Sequence, residues 1–472
     1  MATGGGSPVY LAAHEKLERR RVIGRENDES KFSMVATASM TEPTVNAVPQ
    51  WTAPTRIAFR FCFIYFGLYI LLTQMLTSLV PFMPLEIGSI GPFRAVVSWT
   101  AKHVFHVGHA LVVTGSGSGD KTFDWVETFC LLVIAIIATA IWSILDRRRQ
   151  SYGKLHSWFR VFIRISLGAT MFTYGAAKVI PLQMPFPNLT RLLEHYGDLS
   201  PMGVLWASIG AAKGYEIFAG SAELAGGIFL FFPRTTMFGA LICLADAVNI
   251  FTLNMTYDVP VKLFSFELIL LALFLLAPDA RRLADVFFLD RAAPPSSQKW
   301  LFRGRLANRI ALAVQILVGT SLLATSLYSS IQYERTSGAG AAKSPLYGIW
   351  TVEDFSLDGE GRPPLLTDNA RWKRVIFENS GYANIQPMDE KGQYYRASVN
   401  MGAKTVALTK SADPQWKANF SFSQPAPGYL ILDGSIDGHK VHARLELFDR
   451  SKFLLVSRGF HWVQEYPYNH QD

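Results

Sequence analysis

The chain has 472 residues, of which 50% are apolar and only 17% charged, against roughly 25% charged in ordinary soluble domains. That deficit argues against a merely large soluble core, because the apolar residues gather in runs that can cross a hydrocarbon layer of about 30 Å at about 20 residues each. The net charge of +8 does not imply a nucleic-acid partner: Lys and Arg sit beside the apolar runs instead of forming one basic face, so they read as topology signals.

Residues 1 to about 52 are rich in small and charged residues, with Glu15, Lys16 and Glu18 leading into Arg19, Arg20 and Arg21. They offer no apolar core, and a disordered or weakly helical tail is expected. The first long apolar run starts only near Arg60, too far along for a cleavable signal peptide, so the first span is expected to be its own insertion signal.

About seven spanning helices are expected, at about 58 to 80, 125 to 145, 158 to 180, 212 to 232, 235 to 254, 260 to 277 and 309 to 330. Arg56 and Arg60, then Asp146-Arg147-Arg148-Arg149, Arg160, Arg164, Arg234, Arg281, Arg282, Arg303, Arg305 and Arg309 flank these runs. With seven spans every basic group falls on one side, which makes the N-terminus cytoplasmic and the C-terminus external. The three cysteines, Cys62, Cys130 and Cys243, lie within apolar runs without a CxxC. They support neither a disulfide framework nor a thiol redox motif.

After the last run, Arg335 to Gly340 reads as a flexible linker, and an alternating pattern begins near Ser344. Candidate strands are Ile349–Phe355, Arg374–Glu378, Tyr394–Val399, Thr405–Thr409, Asn419–Phe422, Tyr429–Leu432, Val441–Leu447 and Phe453–Ser457, separated by turn pairs such as Asp358-Gly359, Ser380-Gly381, Asp433-Gly434 and Asp437-Gly438. Short strands at this density imply a closed barrel or sandwich. The fold class is thus a mainly α membrane bundle over residues 53–333 followed by an antiparallel β domain over 344–472.

Ionisable residues inside apolar spans are costly unless paired or facing water, so they mark candidate function. Here they are Lys178, Glu216, Glu223, Asp246, Lys262 and Glu267, with Tyr174 and Asn249 beside them. Glu216 and Glu223 share a helix face with Gly220 between them, and small residues such as Ala219, Ala222 and Gly226 permit close packing. Lys178, Glu216 and Lys262 fall toward the external ends of their spans and Glu223, Asp246 and Glu267 deeper, which suggests an outward-opening ligand pocket or proton pathway. The bland alternative has the lysines snorkelling and the acids pairing locally.

Residues Ser98 to His109 resemble a short amphipathic helix that places His103, His106 and His109 at steps of three. Neighbouring pairs could ligate a metal or haem iron, although an interfacial helix with its histidines among headgroups is the favoured expectation. Gly115-Ser116-Gly117-Ser118-Gly119-Asp120-Lys121-Thr122 approaches a phosphate loop but carries Asp120 where the glycine before the lysine is needed, so no nucleotide is expected.

Met171-Phe172-Thr173-Tyr174-Gly175-Ala176-Ala177-Lys178, the stretch from Glu216 to Gly227, and Tyr257-Asp258-Val259-Pro260-Val261-Lys262 resemble the DoxX-like membrane protein family. That resemblance implies a bacterial inner-membrane location and relatives in thiosulfate:quinone oxidation and thiol-redox systems; this chain lacks external cysteines for the latter. Gly348-Ile349-Trp350 resembles the Gly-x-Trp of the lipocalins, with Arg458 expected to pack on the tryptophan and a barrel able to hold a small apolar ligand. The leading expectation is an accessory multi-pass protein binding a lipid-like or quinone-like molecule. The alternatives are a quinone-linked oxidoreductase subunit using haem or quinone with partner subunits, and a proton- or ion-coupled transporter. The β domain is expected on the periplasmic or extracellular side.

Overall fold

The computed structural model describes residues 50–81, 83, 86–296, 300–379, 381–411, 413 and 415–468. The tail expected over 1–52 therefore lies almost wholly outside the described residues. The described residues divide into two units, one of residues 50–56 with 148–152 and one made of the rest. In the first, the Trp51 N–H donates to the Gln150 carbonyl at 3.1 Å and the Trp51 and Tyr152 rings lie 6.2 Å apart.

The helices in chain order are α1 (Ala53–Leu72), α2 (Met75–Leu79), α3 (Gly91–His103), α4 (Thr122–Leu145), α5 (Gly153–Val179), α6 (Leu189–Leu193), α7 (Pro201–Ala211), α8 (Lys213–Phe231), α9 (Thr236–Thr256), α10 (Lys262–Leu276), α11 (Ala280–Phe287), α12 (Arg305–Ser337) and α13 (Leu454–Ser457). Five helical stretches among the described residues are long and apolar enough to cross a membrane: α1, α4, Pro233–Thr256, Lys262–Phe287 and α12. The other two long helices, α5 and α8, are the ones loaded with charge. Helix α12 runs through Ser337, so the linker expected from Arg335 is shorter than read. The Gly338 N–H closes the helix end on the Tyr333 and Glu334 carbonyls, and β1 begins five residues later.

The arginines beside the apolar runs do more than mark a side. Arg164 Nε donates to the Leu230 carbonyl at 2.7 Å, Arg160 Nη2 to the Leu275 carbonyl at 3.1 Å, and Arg60 Nη2 to the Asp146 carbonyl at 2.9 Å. Each guanidinium thus meets carbonyls left unpaired at the C-terminal end of a neighbouring antiparallel helix, where the helix dipole also favours a cation.

The C-terminal part is an eight-stranded closed antiparallel barrel. Its strands are β1 (Lys343–Leu357), β3 (Trp372–Asn379), β4 (Tyr382–Pro387), β5 (Gln393–Asn400), β6 (Thr405–Thr409), β7 (Lys417–Ser423), β8 (Tyr429–Ile436) and β9 (His439–Leu447); the two-residue β2 (Glu360–Gly361) hangs on β1. Neighbours pair in sequence order, and β9 closes on β1 from Trp350↔Leu447 to Leu357↔Val441. Inward side chains form one continuous apolar cluster that includes Trp350, Phe355, Trp372, Phe377, Phe420 and Leu445, so the interior is packed with side chains, as in a small barrel whose layers interdigitate.

Two strand assignments change. Tyr382–Pro387 is a strand, paired to β3 and β5, although Asn384 and Gln386 give it a polar look. Phe453–Ser457 is not: Asp449 accepts the Ser451 N–H at 2.9 Å and turns the chain into a 3-10 turn and then α13. With β9 already bonded to β1, no sheet edge remains for it. Phe453 instead joins Ile349, Ile376, Leu189 and Leu193 in a second cluster on the outside of the barrel. That cluster, together with Glu378, fastens the barrel to α6: the Thr190 N–H and Oγ1 both donate to Glu378 Oε1 at 2.9 Å.

Gly348 lies in β1, and the Trp350 indole N–H donates to the Leu346 carbonyl at 2.8 Å. Arg458 does not reach this tryptophan. Its guanidinium lies over the Tyr468 ring at 4.0 Å and donates to Gln464, because α13 has carried it out of the sheet. The arginine buried against the barrel wall is Arg371, 2% exposed, which donates to the Val352 and Glu353 carbonyls.

Candidate functional site

A cavity of about 510 Å³ opens at one end of the bundle. The direction of each helix shows why it forms there: the wall takes residues from the last turns of α1, α5 and α9 and the first turns of α4, α8 and α10. These are the ends that antiparallel neighbours bring to one side. The barrel follows from the C-terminus of α12, at that same end, where Gly338 stands beside Leu182.

Close backbone approach sets the depth of the site. A Cβ added to Gly220 of α8 would lie 2.7 Å from the Gly175 carbonyl of α5, and one added to Gly175 would lie 2.9 Å from the Gly220 carbonyl. Only glycine on both sides permits this crossing. It brings Lys178 against Glu223 as an ion pair, with their side chains 9% and 1% exposed. Asp246 of α9 lines the same cavity as Glu223.

Of the residues singled out in the sequence, Tyr174, Lys178, Glu216, Glu223, Asp246 and Asn249 line the cavity. Glu216 also accepts the Met184 N–H at 2.9 Å. Lys262 and Glu267 lie outside the wall. Lys262 pairs with Asp258 at 2.8 Å, and Glu267 turns toward α1, where it accepts the Tyr65 hydroxyl.

Sequence reasoning missed Tyr69, Thr73, Gln74, Glu86, Asp124, Glu127, Gln183 and Trp206, all on the wall. One signal was available: Tyr65, Tyr69 and Thr73 recur at steps of four along α1, a polar stripe on one helix face. The glycine-serine segment was also under-read. Residues 115–119 form part of the cavity mouth, and the Gly119 N–H donates to the Pro260 carbonyl at 2.8 Å. Asp120 accepts the Lys262 and Leu263 N–H groups, both at 2.9 Å, capping α10 from another part of the chain.

The histidines do not converge. Helix α3 ends at His103, with His106 and His109 beyond it, so the single helix expected over 98–109 is not formed. His106 has φ of 52°, a backbone conformation that breaks a helix. His103 stacks on Trp99 at 4.8 Å and contacts the Trp99 carbonyl, while His109 contacts the Ala110 carbonyl. Among the described residues, no group of three or more His, Cys, Asp or Glu side chains is placed to hold a metal ion.

Fold and site together define a class: a helical protein with segments long and apolar enough to cross a membrane, a charged cavity among its helices and a closed β-barrel at its C-terminal end. No family model and no solved structure matches the chain. A stretch of 124 residues, 26% of this chain, is 32% identical to the uncharacterized protein YwoB of Bacillus subtilis (strain 168) and covers 79% of it. The chain belongs to the family of that protein.

Proposed function

We propose that this is a multi-pass membrane protein of DoxX-like type that binds a lipid-like or quinone-like small molecule in the cavity, with its barrel on the external side. The observation that carries the reading is the cavity itself: about 510 Å³ is within the range of small-molecule sites, and its wall combines buried charge with apolar surface from Met171, Leu205, Ile209 and Ile250. Seven crossings follow if α5 and α8 are counted with the five apolar stretches. Lys178, Glu223, Arg160 and Arg164 among their charges are compensated inside the bundle, through the Lys178–Glu223 pair and the arginine–carbonyl contacts, and the basic clusters then share the cytoplasmic side. The barrel's packed interior makes the bundle the better ligand site.

The test is purification in mild detergent followed by native mass spectrometry. Wild type should carry a stoichiometric small molecule, and Ala219→Phe, which fills the cavity wall, should lose it. A wild-type protein free of any such molecule, or one retained in the filled variant, would defeat the reading.

Proton-coupled transport is a second reading, favoured by Lys178, Glu223 and Asp246 lining one cavity within the bundle. It requires that Glu223→Gln abolish proton flux in proteoliposomes.

A further inference from the structure

We infer that the ligand of this cavity carries a protonated amine, so that the site takes an alkylammonium amphiphile with its cation among Glu216, Glu223 and Asp246. The inference rests on the small-molecule reading above and names the head group.

The ionisable acids and bases on the wall are Glu86, Asp124, Glu127, Glu216, Glu223 and Asp246 against Lys121 and Lys178. Both lysines are already engaged, Lys121 with Asp124 at 2.8 Å and Lys178 with Glu223. Among the described ion pairs none joins Glu86, Glu127, Glu216 or Asp246 to a basic side chain. The wall therefore carries six carboxyl groups against two ammonium groups, in a part of the bundle where uncompensated charge is expensive.

The hydrogen-bond inventory points the same way. Among the described residues, Glu216 Oε2 and Glu223 Oε2, on residues each 1% exposed, have no donor, and neither has Asp246 Oδ2. A buried acceptor left without a donor is costly, and more so when charged. The shortage is of donors. A quinone carbonyl, a carboxylate or a phosphate would bring further acceptors and leave it uncorrected, whereas an ammonium group brings three N–H donors and the missing positive charge. The alkyl chain has an apolar wall to follow, through Leu205, Trp206, Ile209 and Leu253.

The experiment uses the full-length protein in detergent with three probes of equal chain length: dodecylamine, dodecanol and dodecanoate. Binding is read by isothermal titration and by the shift in unfolding temperature. Dodecylamine should bind about tenfold or more tighter than dodecanol, a single charge-assisted contact being worth at least that factor, and dodecanoate more weakly than either. Glu216→Gln and Asp246→Asn, which keep shape and remove charge, should each weaken dodecylamine by a similar factor and dodecanol by much less. If dodecanol or dodecanoate binds wild type as well as dodecylamine does, and Ala219→Phe blocks that binding, the head-group inference is overturned while the small-molecule reading stands. If none of the three binds in a manner that Ala219→Phe blocks, both fail.

Discussion

Gly220 of α8 lies against Lys178 of α5 so closely that a Cβ built on the glycine would stand 2.6 Å from the Lys178 Cβ. The neighbouring atoms are a side-chain root and the backbone of Gly175 and Val179, which cannot swing aside as the tip of a long side chain could. Gly220→Ala should therefore destabilise the protein by about 1–3 kcal/mol, the usual cost of overpacking, measured by thermal unfolding in detergent. Gly214→Ala is the control, because nothing lies within 4 Å of a Cβ there. It should be neutral or slightly stabilising, since alanine is favoured over glycine in a helix by up to about 1 kcal/mol. Equal effects at the two positions would mean that α5 and α8 do not cross this tightly.

The same crossing buries the Lys178–Glu223 pair. Removing one partner of a buried pair leaves the other charge uncompensated and costs about 3–5 kcal/mol, whereas replacing both with apolar residues of similar volume is often close to neutral. Lys178→Met and Glu223→Leu should each lower the unfolding midpoint strongly, and the double variant should be more stable than either single one. Strictly additive losses would show that the two side chains do not depend on each other.

Much of this was legible in the sequence because hydropathy and charge act locally. The apolar runs located the long helices, and the seven-residue spacing of Glu216 and Glu223 put them on one face. Tyr174, Lys178 and Asp246 were found by the rule that charge or polarity in an apolar helix needs a reason. What escaped depends on contacts between distant segments. Asp120 looked like a defect in a phosphate loop, yet it caps α10, more than a hundred residues away in sequence. Phe453 alternated like a strand residue, but strand formation needs an open edge, and β1–β9 pairing had removed it. Tyr382–Pro387 was passed over because Asn384 and Gln386 are polar, although both are buried, Asn384 beside Gly392. Glu267 obeyed the charge rule but found Tyr65, a partner that no local pattern announces.

Glu378 is the main polar link from the barrel to the bundle. Its carboxylate accepts the Leu189 N–H at 3.4 Å as well as both Thr190 donors, so Glu378→Ala strips three donors of their partner at once. Amide exchange at Leu189 and Thr190 should accelerate by about tenfold or more, one hydrogen bond being worth about 1 kcal/mol and those to charged groups about 1.5–3 kcal/mol. Exchange in β7 and β8, on strands remote from this contact, should be unaltered. Protection retained at Leu189 and Thr190 in the variant would sink the claim that Glu378 holds α6 in place.

Glu390 supplies a pH dependence of known sign. Its carboxylate is held below the usual glutamate range first by the hydrogen bond from Lys373, with further attraction from Arg374 and a hydrogen bond from His195. Arg374 Nη1 stands 3.3 Å away and His195 Nε2, from the bundle side, 3.2 Å away. A carboxylate whose value is depressed on folding contributes stability that is full above its unfolded value, about 4.3 for glutamate, and that is lost as pH falls through the lower folded value. The side chain is partly solvated, which screens the interaction, so the expected effect is a gradual acid slope and not a collapse. Denaturation of the full chain, followed by the fluorescence of Trp350, Trp372 and Trp416, should show stability declining from about pH 5 to about pH 3. Glu390→Gln cannot titrate: it should be less stable than wild type at neutral pH and show a shallower decline over the same window. If the variant keeps the wild-type slope, the acid sensitivity belongs to other carboxylates, and the Lys373–Glu390 contact does not hold in solution.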